Sequence, residues 1–361
     1  MMDDMRAKLK ALRGIYKSEG ANALLITEQH NLAWLLNGAR THIGLFAVKG
    51  ICNVLICEDE VYLIGDNIDT KRLMTEEIHS AIVIAKQYPW HDSLSRQKLL
   101  LELTGGKWVT DTELEGSIQP LRMRLSEIEL ETYRELGRRT GQVMEEVCFS
   151  VEPGMSEFEV AAMMMYKSMG NELEPNVVLV GADERAYSYR HPLPTDRRIQ
   201  EYVMLVLVTR FRGLMAAITR FVSFRPIDDR FEARRDAIVN VNTTAIANTR
   251  PGVKANEVLR KIATEYDRQG YANEWRLHHQ GGPIGYRTRE YKVTPDLESE
   301  IQFGQAYAWN PSVQGFKAED TILVHADGNE QITLTPNLPA ITKVENGISV
   351  MTADVLVRNN G

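Results

Sequence analysis

The sequence predicts an α+β protein in two parts. A small α/β domain spans residues 1–124, and a larger domain over 125–361 is built from two similar helix–helix–sheet halves. Three observations predict this. First, short apolar strands alternate with amphipathic stretches over the first ~125 residues, the pattern of an α/β unit. Second, Ser126-Glu127-Ile128-Glu129 has the form of a capping box, with a long amphipathic helix beyond it through Val147, so the boundary falls near Met123–Leu125. Third, Pro153-Gly154-x4-Glu159-Val160 recurs with identical internal spacing as Pro251-Gly252-x4-Glu257-Val258.

Taken in order, Met5–Glu19 has apolar residues at helical spacing, and Gly20 follows as a C-cap glycine. Ala23–Thr27 reads as a strand and Asn31–Leu36 as a helix. Cys52–Cys57 and Val61–Ile64 read as a hairpin across Glu58-Asp59-Glu60. A helix over about 68–78, a strand at 81–84, a helix near 93–103 and a strand at 107–110 complete the first domain. In the second domain each copy of the repeat follows a long helix (about 127–148 and 229–248). Each opens another helix (about 157–169 and 255–269) that leads into β-rich sequence. Two halves related by a pseudo-twofold place a cleft on the sheet between them.

Composition limits the function. With 361 residues and a net charge of −7, the chain lacks the basic surface that a nucleic-acid partner requires. No run is long and apolar enough for a membrane span, and the acidic start is unlike a signal peptide, so a cytoplasmic protein is expected. Three scattered cysteines make neither a disulfide framework nor a thiolate metal site. The stretch Leu277–Glu290 concentrates chemistry, because two adjacent imidazoles run into Gly-Gly-Pro and an Arg-Glu pair follows. In an extended strand His278 and His279 would point to opposite faces, with His278 inward, unless the glycines break the alternation. Met163, Met164, Met165 and Met169 read as packing on a helix. Trp275, Tyr286, Tyr307 and Trp309 read as core.

Several motifs together carry a family resemblance: His191-Pro-Leu-Pro-Thr-Asp196, Gly213-x5-Thr219-Arg220, His278-x2-Gly281, Ile284-Gly285, Asn310-Pro311 and Lys317-Ala-Glu-Asp-Thr-Ile-Leu-Val324. On these the chain resembles the pita-bread family of methionine aminopeptidase, aminopeptidase P, prolidase and creatinase. The resemblance implies a pita-bread C-terminal domain behind a creatinase-type N-terminal domain, in a homodimer. The family's peptidases hold two divalent metals on two Asp, one His and two Glu. Here the corresponding positions are Val206 or Val208, Ala217, Gly282 and Asn310, and only Glu319 remains. The resemblance therefore implies a divergent member that has lost most metal ligands and binds no metal or other cofactor.

Creatinase hydrolyses a C–N bond on this fold without metal, so the chain is expected to be a hydrolase of that kind. Its substrate would be small and would bear a carboxylate. The resemblance assigns catalysis to His191, His278 and Glu319. Substrate binding is expected of Arg40, His42, Arg190, Arg220, His279, Arg289, Glu290, Asn310 and Lys317, with His279 additional to the family's pattern. Arg40 and His42 enter because that loop, in dimeric relatives, reaches the partner's site. Arg190 is expected to keep His191 neutral. The arginines suit a carboxylate, or else pair with Glu290 and Glu319. Two alternatives stand beside this reading: an Xaa-Pro aminopeptidase or dipeptidase, and a catalytically inactive member that binds a peptide or small ligand.

Overall fold

The structure is a computed structural model and describes residues 2–92 and 94–358. It divides into two compact units: Met1–Ile128 with Arg212–Leu214, and Glu129–Phe211 with Met215–Gly361. Among the described residues, no helix is long and apolar enough to cross a membrane.

The first unit is a five-stranded mixed sheet. Its strand order is Val83–Tyr88, Val61–Asp66, Lys49–Ile56, Ala23–Glu28, Trp108–Thr110. The expected hairpin is present, with Ile56 opposite Val61. The helix expected over about 68–78 is present over residues 70–77, as Thr70–Arg72 running directly into a π-helical Leu73–Glu77. Asp66 sets its start, since its carboxylate accepts the Ile68 and Asp69 N–H groups and holds the chain in a turn before the helix begins. Helix Glu115–Met123, with Pro120 inside it, was not expected.

The second unit shows the repeat as structure. Helices Glu127–Ser150 and Glu157–Gly170 open one half, and Asp229–Asn248 and Ala255–Arg268 open the other. Gly154 and Gly252 sit at φ +88° and +85°, a left-handed turn that glycine adopts without strain. Each glycine donates its N–H to an isoleucine carbonyl, Ile199 at 2.8 Å and Ile301 at 2.9 Å. A single antiparallel bridge follows in each copy, Ser156–Arg198 and Lys254–Glu300. Ser156 also closes a capping box with Glu159.

Each half contributes a four-stranded sheet. One has the order Leu356–Val357, Leu214–Ser223, Tyr202–Phe211, Glu174–Ala182. The other has the order Gly328–Gln331, Asp320–His325, Ala306–Trp309, Gly281–Ile284. This is the α+β pita-bread architecture that the sequence predicts. Tyr286, Tyr307 and Trp309 are buried as expected. The methionines divide instead: Met164 is fully buried, while Met165 and Met169 are 44% and 56% exposed.

Candidate metal-binding active site

Three imidazoles meet in the second unit. One ligand atom from each of His191, His278 and His279 lies within 4.8 Å of the others. His278 Nε2 is 3.2 Å from His191 Nε2, and the His278 and His279 ring centroids are 4.6 Å apart. The two adjacent histidines do not alternate as strand residues, because the strand begins only at Gly281. Gly281 and Gly282 then take φ values of +118° and +153°, and both preceding rings turn to one cluster.

All three imidazoles are held below their usual range, first by burial and then by nearby cations. His278 is lowered to about 2, by burial and then Lys317. His279 is lowered to about 4, by burial and then Arg289 and Lys292. His191 is lowered by burial and then Lys317. Arg190 is not the cause for His191, since its guanidinium is 2.5 Å from Glu274. Neutral imidazoles keep the lone pairs that a metal needs.

Beside the histidines lies a buried charge cluster. Glu319 accepts from Thr219 Oγ1 at 2.8 Å, Lys317 Nζ at 2.7 Å and Arg289 Nη2 at 3.1 Å. Burial raises its pKa, but Lys317 and Arg289 outweigh that and bring it to about 2. A carboxylate so held is a weak base, so Glu319 fixes its two cations and does not take protons. One carboxylate between Lys317 and Arg289, with Lys292 nearby, leaves the site net positive on this side.

The remaining expected residues divide clearly. Arg220 is committed elsewhere, since its guanidinium forks onto Asp320 at 2.8 and 3.3 Å and also bonds Thr335 and the Thr333 carbonyl. It therefore cannot grip a substrate, and it pairs with neither glutamate named for it. Glu290 is buried with its carboxylate against Gly285. Asn310 is buried with Oδ1 unpartnered. Arg40 and His42 lie in the first unit, where Glu77 and Gln29 engage them. Lys292 and Ser312 were not foreseen. Lys292 is an exposed lysine with no sequence signal, whereas Ser312 directly follows the Asn310-Pro311 motif.

The arrangement corrects the expectation that metal ligands are lost. Positions 217, 282 and 310 do hold Ala, Gly and Asn, and a side chain at 282 would meet the Tyr291 carbonyl at 2.4 Å. Yet the three histidines form a donor set of another kind. Two ligands on one zinc with bonds of about 2.0–2.1 Å lie roughly 3.4 Å apart in a tetrahedron. The observed spread of at most 4.8 Å needs a closure of no more than about 1.4 Å. His279 Nδ1 is buried without a hydrogen-bond partner, a polar atom that an ion would satisfy. Three histidines with an open position suit a single catalytic zinc-type ion, in contrast to the carboxylate-rich pair of the peptidases.

Comparison with known proteins agrees on the superfamily. The profile described as metallopeptidase family M24 matches residues 131–326. An uncharacterized peptidase of Staphylococcus saprophyticus is 27% identical over 257 residues, covering 67% of this chain and 71% of the relative. The Xaa-Pro dipeptidase of Pyrococcus horikoshii is 21% identical over 352 residues, covering 92% and 99%. The crystal structure of the prolidase from Pyrococcus horikoshii superposes with a TM-score of 0.76 at 18% identity, over 91% of this chain and 98% of that one. At such identity the superposition speaks for the fold.

Proposed function

This chain belongs to metallopeptidase family M24, and from that premise we propose that it is a metal-dependent peptidase acting on small peptides, of the Xaa-Pro dipeptidase type. It is a hydrolase of a C–N bond. The metal-independent, creatinase-like reading is set aside, because the histidine cluster and the metallopeptidase relatives both run against it.

The observation that carries the proposal is the convergence of His191, His278 and His279 in a chain of this family. These three would hold the ion. When bound, it would polarise the scissile carbonyl and acidify a water. The protein's own groups do the rest. Arg289 and Lys292 bind the carboxylate of a short peptide, where a guanidinium and an ammonium complement the anion. Lys317 keeps that side of the site positive, and Glu319 holds Lys317 and Arg289 in place. Asn310 Oδ1, buried and unpartnered, accepts an N–H of the substrate backbone. Arg190 braces the His191 segment through Glu274. A homodimer belongs to the same proposal, supported by Ile43, Phe46 and Val48 at 71%, 70% and 69% exposure, a cluster of the kind that marks contact surfaces. Light scattering that returns a monomer mass would remove that part.

The test is hydrolysis of a panel of Xaa-Pro dipeptides by protein loaded with zinc, manganese or cobalt. Activity should appear with metal, vanish with chelator and return on reloading. Chelator-resistant hydrolysis, or none with any of the three ions, would reject the proposal.

A further inference from the structure

His278 is held by a residue that the reaction does not itself use. Its Nδ1 lies 3.3 Å from Ser312 Oγ, on the side of the ring away from His191. Ser312 is in turn clamped through its backbone. Its N–H donates to Tyr266 Oη at 2.7 Å, and its carbonyl accepts from the same hydroxyl at 3.1 Å. Tyr266 is fully buried on helix Ala255–Arg268, and Ser312 is paired with Lys317 on a two-residue strand. One tyrosine thus fixes both backbone groups of the serine whose hydroxyl faces the imidazole.

We infer that Ser312, clamped by Tyr266, is a positioning residue that fixes the orientation of His278 and accommodates Nδ1 in either tautomer, so that Nε2 can face a metal beside His191 and His279. A histidine that binds metal through Nε2 must carry its proton on Nδ1, and that N–H needs an acceptor. A serine hydroxyl both donates and accepts, so it serves either tautomer without moving. Without metal, the His278 Nε2 to His191 Nε2 contact of 3.2 Å requires one N–H between the two rings. Ser312 Oγ has His278 as its hydrogen-bond partner among the described residues, so donation from the hydroxyl to Nδ1 leaves no buried O–H unused. His278 then carries its proton on Nε2 and donates to His191. With an ion bound, the hydroxyl would reverse, Nδ1–H would donate to Ser312 Oγ, and the Nε2 lone pair would be free for the ion. An alanine at 312 offers neither role.

The inference rests on the metal-site reading, and the experiment separates the two. Zinc affinity is measured by competition with a chromogenic chelator on wild type, Ser312→Ala and Ser312→Thr. The tautomer of His278 is read by long-range 1H–15N correlation with and without zinc. The alanine variant should bind zinc roughly 10- to 100-fold more weakly, and threonine, which keeps the hydroxyl, should restore most of the loss. Wild-type His278 should be an Nε2–H tautomer without zinc and an Nδ1–H tautomer with it. Equal zinc affinity in wild type and Ser312→Ala would overturn the inference while leaving the metal site standing. If wild type binds no zinc, the metal reading fails, and the metal-free spectra decide the positioning role alone. In that case a His278 signature unchanged by Ser312→Ala would overturn it.

Discussion

Replacing Glu319 by glutamine removes one charge and keeps the shape of the carboxyl. The carboxylate is buried and its pKa falls from the ordinary 4.5 to about 2, with Lys317 and Arg289 offsetting the cost of burial. That gap of about 2.5 corresponds to roughly 3 kcal/mol of folding stability at neutral pH, at about 1.36 kcal/mol per pH unit. Because the folded pKa is depressed, this stability is fully present above the unfolded value near 4.5. It is lost as pH falls toward 2. Urea denaturation of wild type and Glu319→Gln should therefore differ by about 3 kcal/mol at pH 7 and by about half that at pH 3. A difference that stays constant from pH 7 to pH 3 would show that the carboxylate charge does not hold the cluster, and the electrostatic account of Lys317 and Arg289 would fall.

Two further substitutions separate scaffold from site. Gly282→Ala should cost about 2–4 kcal/mol, because φ +153° disfavours any side chain and the added carbon meets the Tyr291 carbonyl at 2.4 Å. Unchanged thermal stability would refute that steric reading. Arg220→Met leaves Asp320 buried without its guanidinium, a loss of roughly 3–5 kcal/mol. KM for a dipeptide measured below the melting transition should not change, and a large rise in KM would return Arg220 to the substrate.

The repeat was legible because it is written in local backbone demands. A left-handed glycine and a helix that starts just after it recur at fixed spacing, and both copies fold as the spacing predicts. The Ala23–Thr27 strand and the hairpin after it were legible for the same reason, since apolar alternation and turn residues act over a few positions. The exact start of the helix after Asp66 was not, because a side chain there competes with the backbone in a way that composition does not reveal.

At the site, His191 and His278 were visible in their motifs. What they do together was not. Reading ligands one position at a time found Gly282 and Asn310 and concluded that a metal had no holder. His279, three residues before Gly282, joins the cluster only through the glycine geometry that follows it. Long-range partners such as the Glu319 cations and the Tyr266 clamp on Ser312 depend on how strands and helices meet, which local sequence does not encode.

The central claim is that His191, His278 and His279 hold one metal ion, and zinc stoichiometry tests it most directly. Protein equilibrated with zinc at neutral pH, desalted and analysed for metal should retain one zinc per chain, and a His278→Ala/His279→Ala double variant should retain none. No zinc in the wild type, or the same zinc content in the double variant, would contradict the account.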